Sequence, residues 1–170
     1  WYRGWRSVIV YPGDFFVHRN VANIVDRTDL NSLSVLQYAV DVLQVDHIIV
    51  CGHYRCGGVR AALEAEPHAL LDHWLHSIKD VAEEHAEELS TLDEEERWDR
   101  LCELNVAAQV QNVARTSIVQ QAWARGQALA VHGWVYHLDD GHLQALDVHA
   151  TGRDDVDPIY HVNPSLPDTA

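Results

Sequence analysis

His47-Ile48-Ile49-Val50-Cys51, running straight into Gly52-His53-Tyr54-Arg55-Cys56-Gly57-Gly58, is the stretch on which the fold turns. Its first five residues form an apolar run too short for a helix and rich in β-branched side chains. That pattern predicts a buried strand of a parallel sheet. The glycines then break the strand, and Val59 to Leu63 opens a helix. Upstream, Thr28 or Asp29 offers an N-cap for a helix over residues 30–44. Leu33, Leu36, Ala39, Val40 and Leu43 recur along it at helical spacing. A helix–strand–loop–helix order puts residues 52–58 at the carboxyl end of a strand, where open α/β sheets build their sites.

Farther out, residues 6–11 read as a strand by β-branched content, Pro12-Gly13 as a turn, and Phe15 to His18 as another short strand. Residues 68–89 predict a helical stretch with Leu71, Trp74, Leu75, Ile78 and Val81 on one face. A long helix is expected over 93–125, interrupted once. Residues 128–136 read as a strand, Asp139-Asp140-Gly141 as a turn, and residues 142–148 as the hairpin partner. The expected fold is therefore α/β: a mostly parallel sheet flanked by helices, with a C-terminal hairpin. Residues 1–153 form one domain, and 154–170, with Pro158, Pro164 and Pro167, a poorly ordered tail.

Composition narrows the function. The chain has 170 residues, enough for one domain with its own core. Its net charge is −14, a field that repels nucleic acid and anionic membranes, so neither is an expected partner. No apolar run reaches the roughly 18 residues that span a bilayer, and no signal peptide is visible. Much of the acidity, at Glu83, Glu84, Glu87, Glu88 and residues 93–96, reads as solvated helix surface. Three cysteines argue against a disulfide framework and for cytoplasmic thiols or a metal site. The sequence holds no methionine, so Trp1 is expected to derive from a processed or longer product.

The chemistry concentrates in the loop after the central strand. Cys56 follows His53 by three residues in a Gly-rich turn, and thiolate and imidazole are donors that Zn²⁺ prefers. The spacing alone is common by chance; its place at a strand end is what gives it weight. Cys51 shares the face of His53 on an ideal strand but reads better as a small buried hydrophobe. Asp14 and His18 read as chance placements. His73 and His76 read as part of an exposed polar stripe, and Cys102, between Leu101 and Leu104, as packed core.

Several segments in order resemble β-class carbonic anhydrases, most of all the bacterial type: 13–23 (GDFFVHRNVAN), 28–40 (TDLNSLSVLQYAV), 51–58 (CGHYRCGG), 101–106 (LCELNV) and 132–136 (HGWVY). The resemblance runs from about residue 12 to residue 153. It implies reversible, zinc-dependent hydration of CO2 to bicarbonate. In the family, zinc is held by a Cys, an Asp, a His and a second Cys; the last two map onto His53 and Cys56. Water takes the place of the Asp, which a neighbouring Arg draws away, and attacks the carbon of CO2. Backbone N–H groups near Gly57 and Gly58 hold substrate or developing charge. In some bacterial members a bicarbonate regulatory pocket uses a Trp, an Arg and a Tyr; Arg19 and Tyr136 match the last two, and Arg19 reads equally as a structural ion-pair partner. Homodimers or higher homo-oligomers are expected.

The family's Cys-x-Asp-x-Arg motif has no match here. Without gaps, its Cys and Asp fall ahead of Trp1 and its Arg falls on Trp1. A truncated or frame-shifted gene copy is one expected source. With two ligands, weak zinc binding and little hydration are expected of the chain as written. The alternatives are a non-catalytic remnant that binds bicarbonate weakly or joins an intact paralogue, and a hydrolase of CS2 or COS on the same scaffold.

Overall fold

A computed structural model describes residues 13–64 and 66–163. Around the central stretch the element order follows the sequence. Helix α1, Leu30–Gln37, is capped by Asp29, whose carboxylate accepts from the N–H groups of Asn31 and Ser32. It runs on into a π-helical turn at Tyr38–Val42, so the apolar stripe loses its phase: Val40 is buried, whereas Leu43 is 45% exposed. Strand β1, His47–His53, leads to α2, Gly57–Leu63. The next stretch forms α3, Leu70–Glu84, and α4, Ala86–Ser90. The long helix is broken once, at Arg115-Thr116, into α5, Glu94–Ala114, and α6, Ser117–Ala124. Strands β2, Ala130–Tyr136, and β3, Leu143–Ala150, make the hairpin.

The described residues form a small mixed sheet in the order β1-β2-β3. β1 and β2 run parallel, with His47 opposite Ala130 and His53 opposite Tyr136, and β3 returns antiparallel to β2. One face of the sheet packs on helices: Val50, Val131, Val135 and Ala150 meet Val106, Val110 and Val113 of α5, with Val40 and Val119 alongside. A second core joins α2, α3, α4 and the first half of α5 through Val59, Leu75, Ile78, Leu89 and Leu101. Each fully buried aliphatic side chain contributes about 1.5–3 kcal/mol, so α5, shared by both cores, is the spine of the fold.

Two glycines let that spine lie close on the sheet. A Cβ on Gly52 would stand 2.5 Å from Val106 Cγ2, and one on Gly133 would stand 2.5 Å from Val148 Cγ1 and 3.0 Å from Val106 Cγ1. No real Cβ tolerates 2.5 Å, so α5 approaches β1 and β2 only because both positions lack a side chain.

Two expectations are corrected. Residues 15–18 are not a strand but an extended segment with Phe15, Phe16 and Val17 exposed; they find no ladder partner among the described residues. Asp14 and His18 accordingly flank no strand. Cys51 is exposed rather than buried, because it points to the sheet face opposite α5, which no described helix covers. The strand expected at residues 6–11 lies outside the described residues. The segment after Ala150 is described to Asn163 and is docked there. Gln120 Nε2 donates to the Tyr160 carbonyl, Val162 N–H donates to Gln120 Oε1, and Arg115 lies 4.0 Å over the Tyr160 ring. Val156 is buried beside them.

Candidate metal centre

The loop after β1 is held by α5 at regular helical intervals. Tyr54 N–H extends the parallel ladder by one bond, donating to the Tyr136 carbonyl at 3.1 Å. Arg55 then takes φ 55°, a left-handed conformation that a side chain disfavours by roughly 1–2 kcal/mol. The turn persists because its groups are tied down. Arg55 N–H donates to Asp99 Oδ1 at 3.1 Å, and its guanidinium pairs with Glu95 at 3.2 Å. Cys56 C=O accepts from Trp98 Nε1 at 2.9 Å, and Tyr54 Oη donates to Glu103 at 2.6 Å. Residues 95, 98, 99, 102 and 103 share one face of α5 by their i, i+3, i+4 spacing.

The two expected donors flank that turn. His53 ends β1 half-buried, and its Nδ1 lies 3.0 Å from the Tyr54 carbonyl. A carbonyl only accepts, so Nδ1 carries the proton and Nε2 keeps its lone pair. Fixing the tautomer through the other ring nitrogen is how ligating histidines are oriented. Cys56, 5% exposed, sits at the N-cap of α2, and its thiol makes no capping hydrogen bond. Both donor types suit zinc. Among the described residues no third His, Cys, Asp or Glu converges with them.

Cys102 lies beneath the loop with its sulfur against the backbone amides of Arg55 and Cys56, and burial pushes its thiol up to about 12. At neutral pH it is a packed, protonated thiol, as expected. Tyr54 is also pushed above the usual phenol range, by burial first and then by the Glu103 carboxylate. Its ring stands edge-on to His137 at 4.4 Å. Arg55 extends towards Glu95 of α5.

Gly57 and Gly58 open α2 directly after Cys56. The first N–H groups of a helix have no acceptor within it, and here no side chain of Cys56 caps them. A Cβ on Gly57 would meet nothing within 4 Å, whereas one on Gly58 would stand 3.0 Å from Val21 Cγ1 and 3.2 Å from Ala22 Cβ. Arg19 is exposed, and the Tyr136 hydroxyl lies 3.5 Å from where a Cβ on Gly141 would stand. No hydrogen bond or ring contact joins Arg19 to Tyr136. His73 and His76 are exposed with ring centroids 5.6 Å apart.

Sequence reading misses Trp98, Asp99 and Glu103, which fall inside the long helix expected over 93–125. Their spacing is visible, but nothing in it tells which face meets the loop. It also misses Gln109, which is fully buried in the middle of α5. Gln109 Oε1 accepts from Val25 N–H at 2.9 Å, and its Nε2 donates to Asn105 Oδ1 at 3.0 Å. Asn105 Nδ2 donates in turn to the Ala22 carbonyl at 2.9 Å. This chain of amides holds residues 22–25 against Gly52 and Gly58, the two ends of the loop.

Fold and loop together define an α/β protein that presents an imidazole and a thiol at a strand end. The sequence profile described as carbonic anhydrase matches residues 7–143. A carbonic anhydrase of Emericella nidulans is 45% identical over 152 residues, covering 88% of this chain and 67% of that protein. One of Pseudomonas aeruginosa is 37% identical, covering 80% of this chain and 64% of its own length. The Coccomyxa β-carbonic anhydrase in complex with acetazolamide superposes with a TM-score of 0.81 at 44% identity, over 85% of this chain and 66% of that one. A tetrameric β-carbonic anhydrase of Sordaria macrospora gives 0.79 at 41% identity, over 83% and 72%. The chain belongs to the β-class carbonic anhydrase family. It spans about two thirds of the length of these relatives.

Proposed function

We propose that this chain carries the core of a zinc-dependent carbonic anhydrase, with His53 Nε2 and Cys56 Sγ as two of four zinc donors. The observation behind this is the tautomer of His53: its Nδ1–H is engaged by the Tyr54 carbonyl at 3.0 Å, which leaves the Nε2 lone pair free to ligate, three residues before the buried thiol of Cys56. Zinc, when bound, supplies the Lewis acidity that makes water nucleophilic at neutral pH. The chain's own residues hold and orient. Asp99, Trp98 and Glu103 fix the loop. The N–H groups of Gly57 and Gly58, at the start of α2, are the donors that would stabilise the negative charge that builds as CO2 becomes bicarbonate. By resemblance Arg19 and Tyr136 are each assigned to bicarbonate binding. The thiols Cys51, Cys56 and Cys102 are all free, in keeping with a cytoplasmic protein.

By resemblance the remaining Cys and Asp lie in a segment that aligns ahead of Trp1. Two donors alone make neither a closed site nor a three-ligand catalytic one. Elemental analysis of the 170-residue chain is expected to give well under one zinc per chain, with slow CO2 hydration in stopped flow. A protein that also carries the Cys-x-Asp-x-Arg segment is expected to hold one zinc and to hydrate CO2 rapidly. Near-stoichiometric zinc and rapid hydration in the shorter chain would refute the need for further donors. A zinc-free longer protein would refute the assigned ligands.

We also propose a homo-oligomer. Phe16 (50% exposed) lies tilted against Tyr38 (49% exposed) with ring centroids 5.7 Å apart, and Val17, Val21 and Val42 are more exposed still. So much apolar surface in one short segment is unusual for a monomer. Sedimentation equilibrium is expected to give a dimer or larger species. Phe16→Glu should shift it towards monomer, and a wild-type monomer at micromolar concentration would overturn the assignment.

A further inference from the structure

The sheet face that α5 does not cover carries a row of histidines at the end of the sheet remote from His53. His47 opens β1, His132 lies on β2 opposite Ile49, and His149 faces His132 from β3. His47 Nδ1 and His132 Nε2 are 3.1 Å apart, with ring centroids at 5.2 Å. Two metal–imidazole bonds of about 2.0–2.1 Å, meeting at an angle between square-planar and tetrahedral, hold their nitrogens about 2.8–3.4 Å apart. The observed separation falls inside that window. The contact is a hydrogen bond in which one ring N–H donates to the other ring nitrogen; loss of that proton and a modest rotation of the rings would turn both lone pairs towards one ion.

We propose that His47 and His132 form a second metal site, selective for a divalent ion that favours imidazole: Ni²⁺, Cu²⁺ or Zn²⁺. Among the described residues no three ligating side chains already converge, so water completes the coordination sphere. His149 lies opposite His132 across the ladder without converging with the pair on one point. Its position is felt at His132: burial first, then the charges of His47 and His149, hold that ring below the usual histidine range. His132 is therefore neutral, and able to ligate, at physiological pH.

The chelate is independent of the strand-end pair. β1 rises about 3.3 Å per residue, so His47 and His53 lie roughly 20 Å apart along the strand. A bound ion would bridge β1 to β2 at the start of both strands and staple a parallel pair that lacks a hairpin. A metal that binds only the folded state also raises the midpoint of thermal unfolding.

The probe is Ni²⁺ alone, titrated by calorimetry into the 170-residue chain, its His47→Gln and His132→Gln variants, and His53→Gln. One site is expected to lose at least tenfold in affinity in each of the first two variants and to persist in His53→Gln. Ni²⁺ should raise the unfolding temperature of the wild type and leave that of His47→Gln unmoved. His47 is exposed, so its replacement does not disturb the core. The absorption of the bound ion separates the two sites, because the histidine pair gives no thiolate charge-transfer band. Unchanged Ni²⁺ affinity in His47→Gln and His132→Gln would overturn the proposal. Binding lost only in His53→Gln, with a thiolate band, would overturn it equally.

Discussion

Cys56→Ser and His53→Gln, made in a protein that carries all four family ligands, are each expected to drop zinc from about one per chain to near zero. CO2 hydration should then fall by about a thousandfold or more, because water loses the activation that brings its pKa from 15.7 to near 7. Serine is close to cysteine in volume, so the fold should survive, and an unchanged far-UV spectrum would show it. Cys102→Ala is the contrast. Its thiol is held up at about 12 by burial, so that variant should keep its zinc while losing some stability. If Cys102→Ala lost the metal and Cys56→Ser kept it, the two cysteines would have been assigned the wrong way round.

Gln109→Leu should cost about 2–5 kcal/mol. The side chains are similar in size, but leucine leaves Val25 N–H and Asn105 Oδ1 without the partners they have at 2.9 and 3.0 Å. A buried polar group stranded in this way costs about 1–3 kcal/mol, and a domain has only about 5–15 kcal/mol in all. Urea denaturation should show a lower midpoint at an unchanged slope. Residues 22–25 should also exchange their amide hydrogens faster, because that segment hangs from the Gln109–Asn105 chain. A loss below 0.5 kcal/mol would mean the network contributes nothing.

The local signals that held in this chain are short-range. The apolar run before Gly52 specified β1, the Asp29 cap started α1, and the Asp139-Asp140-Gly141 turn joined β2 to β3. His53 and Cys56 could be picked out because both lie in one loop, three residues apart, so their proximity needs no knowledge of the rest of the fold. Residues 15–18 misled because β-branched and aromatic content reports fitness for a pleated surface, and no strand stands beside them among the described residues. Cys51 misled for a related reason. Alternation says which residues share a face, and only the packing of α5 says which face is covered.

From sequence alone came the order of elements, the strand-end loop and its two donors, since each is set by residues close together in the chain. The tertiary structure alone decided the proton on His53, the pinning of the loop by Trp98, Asp99 and Glu103, the hold of Gln109 on residues 22–25 and the meeting of His47 with His132. Each joins residues from different elements, and such contacts exist only once α5 has docked on the sheet through Gly52 and Gly133.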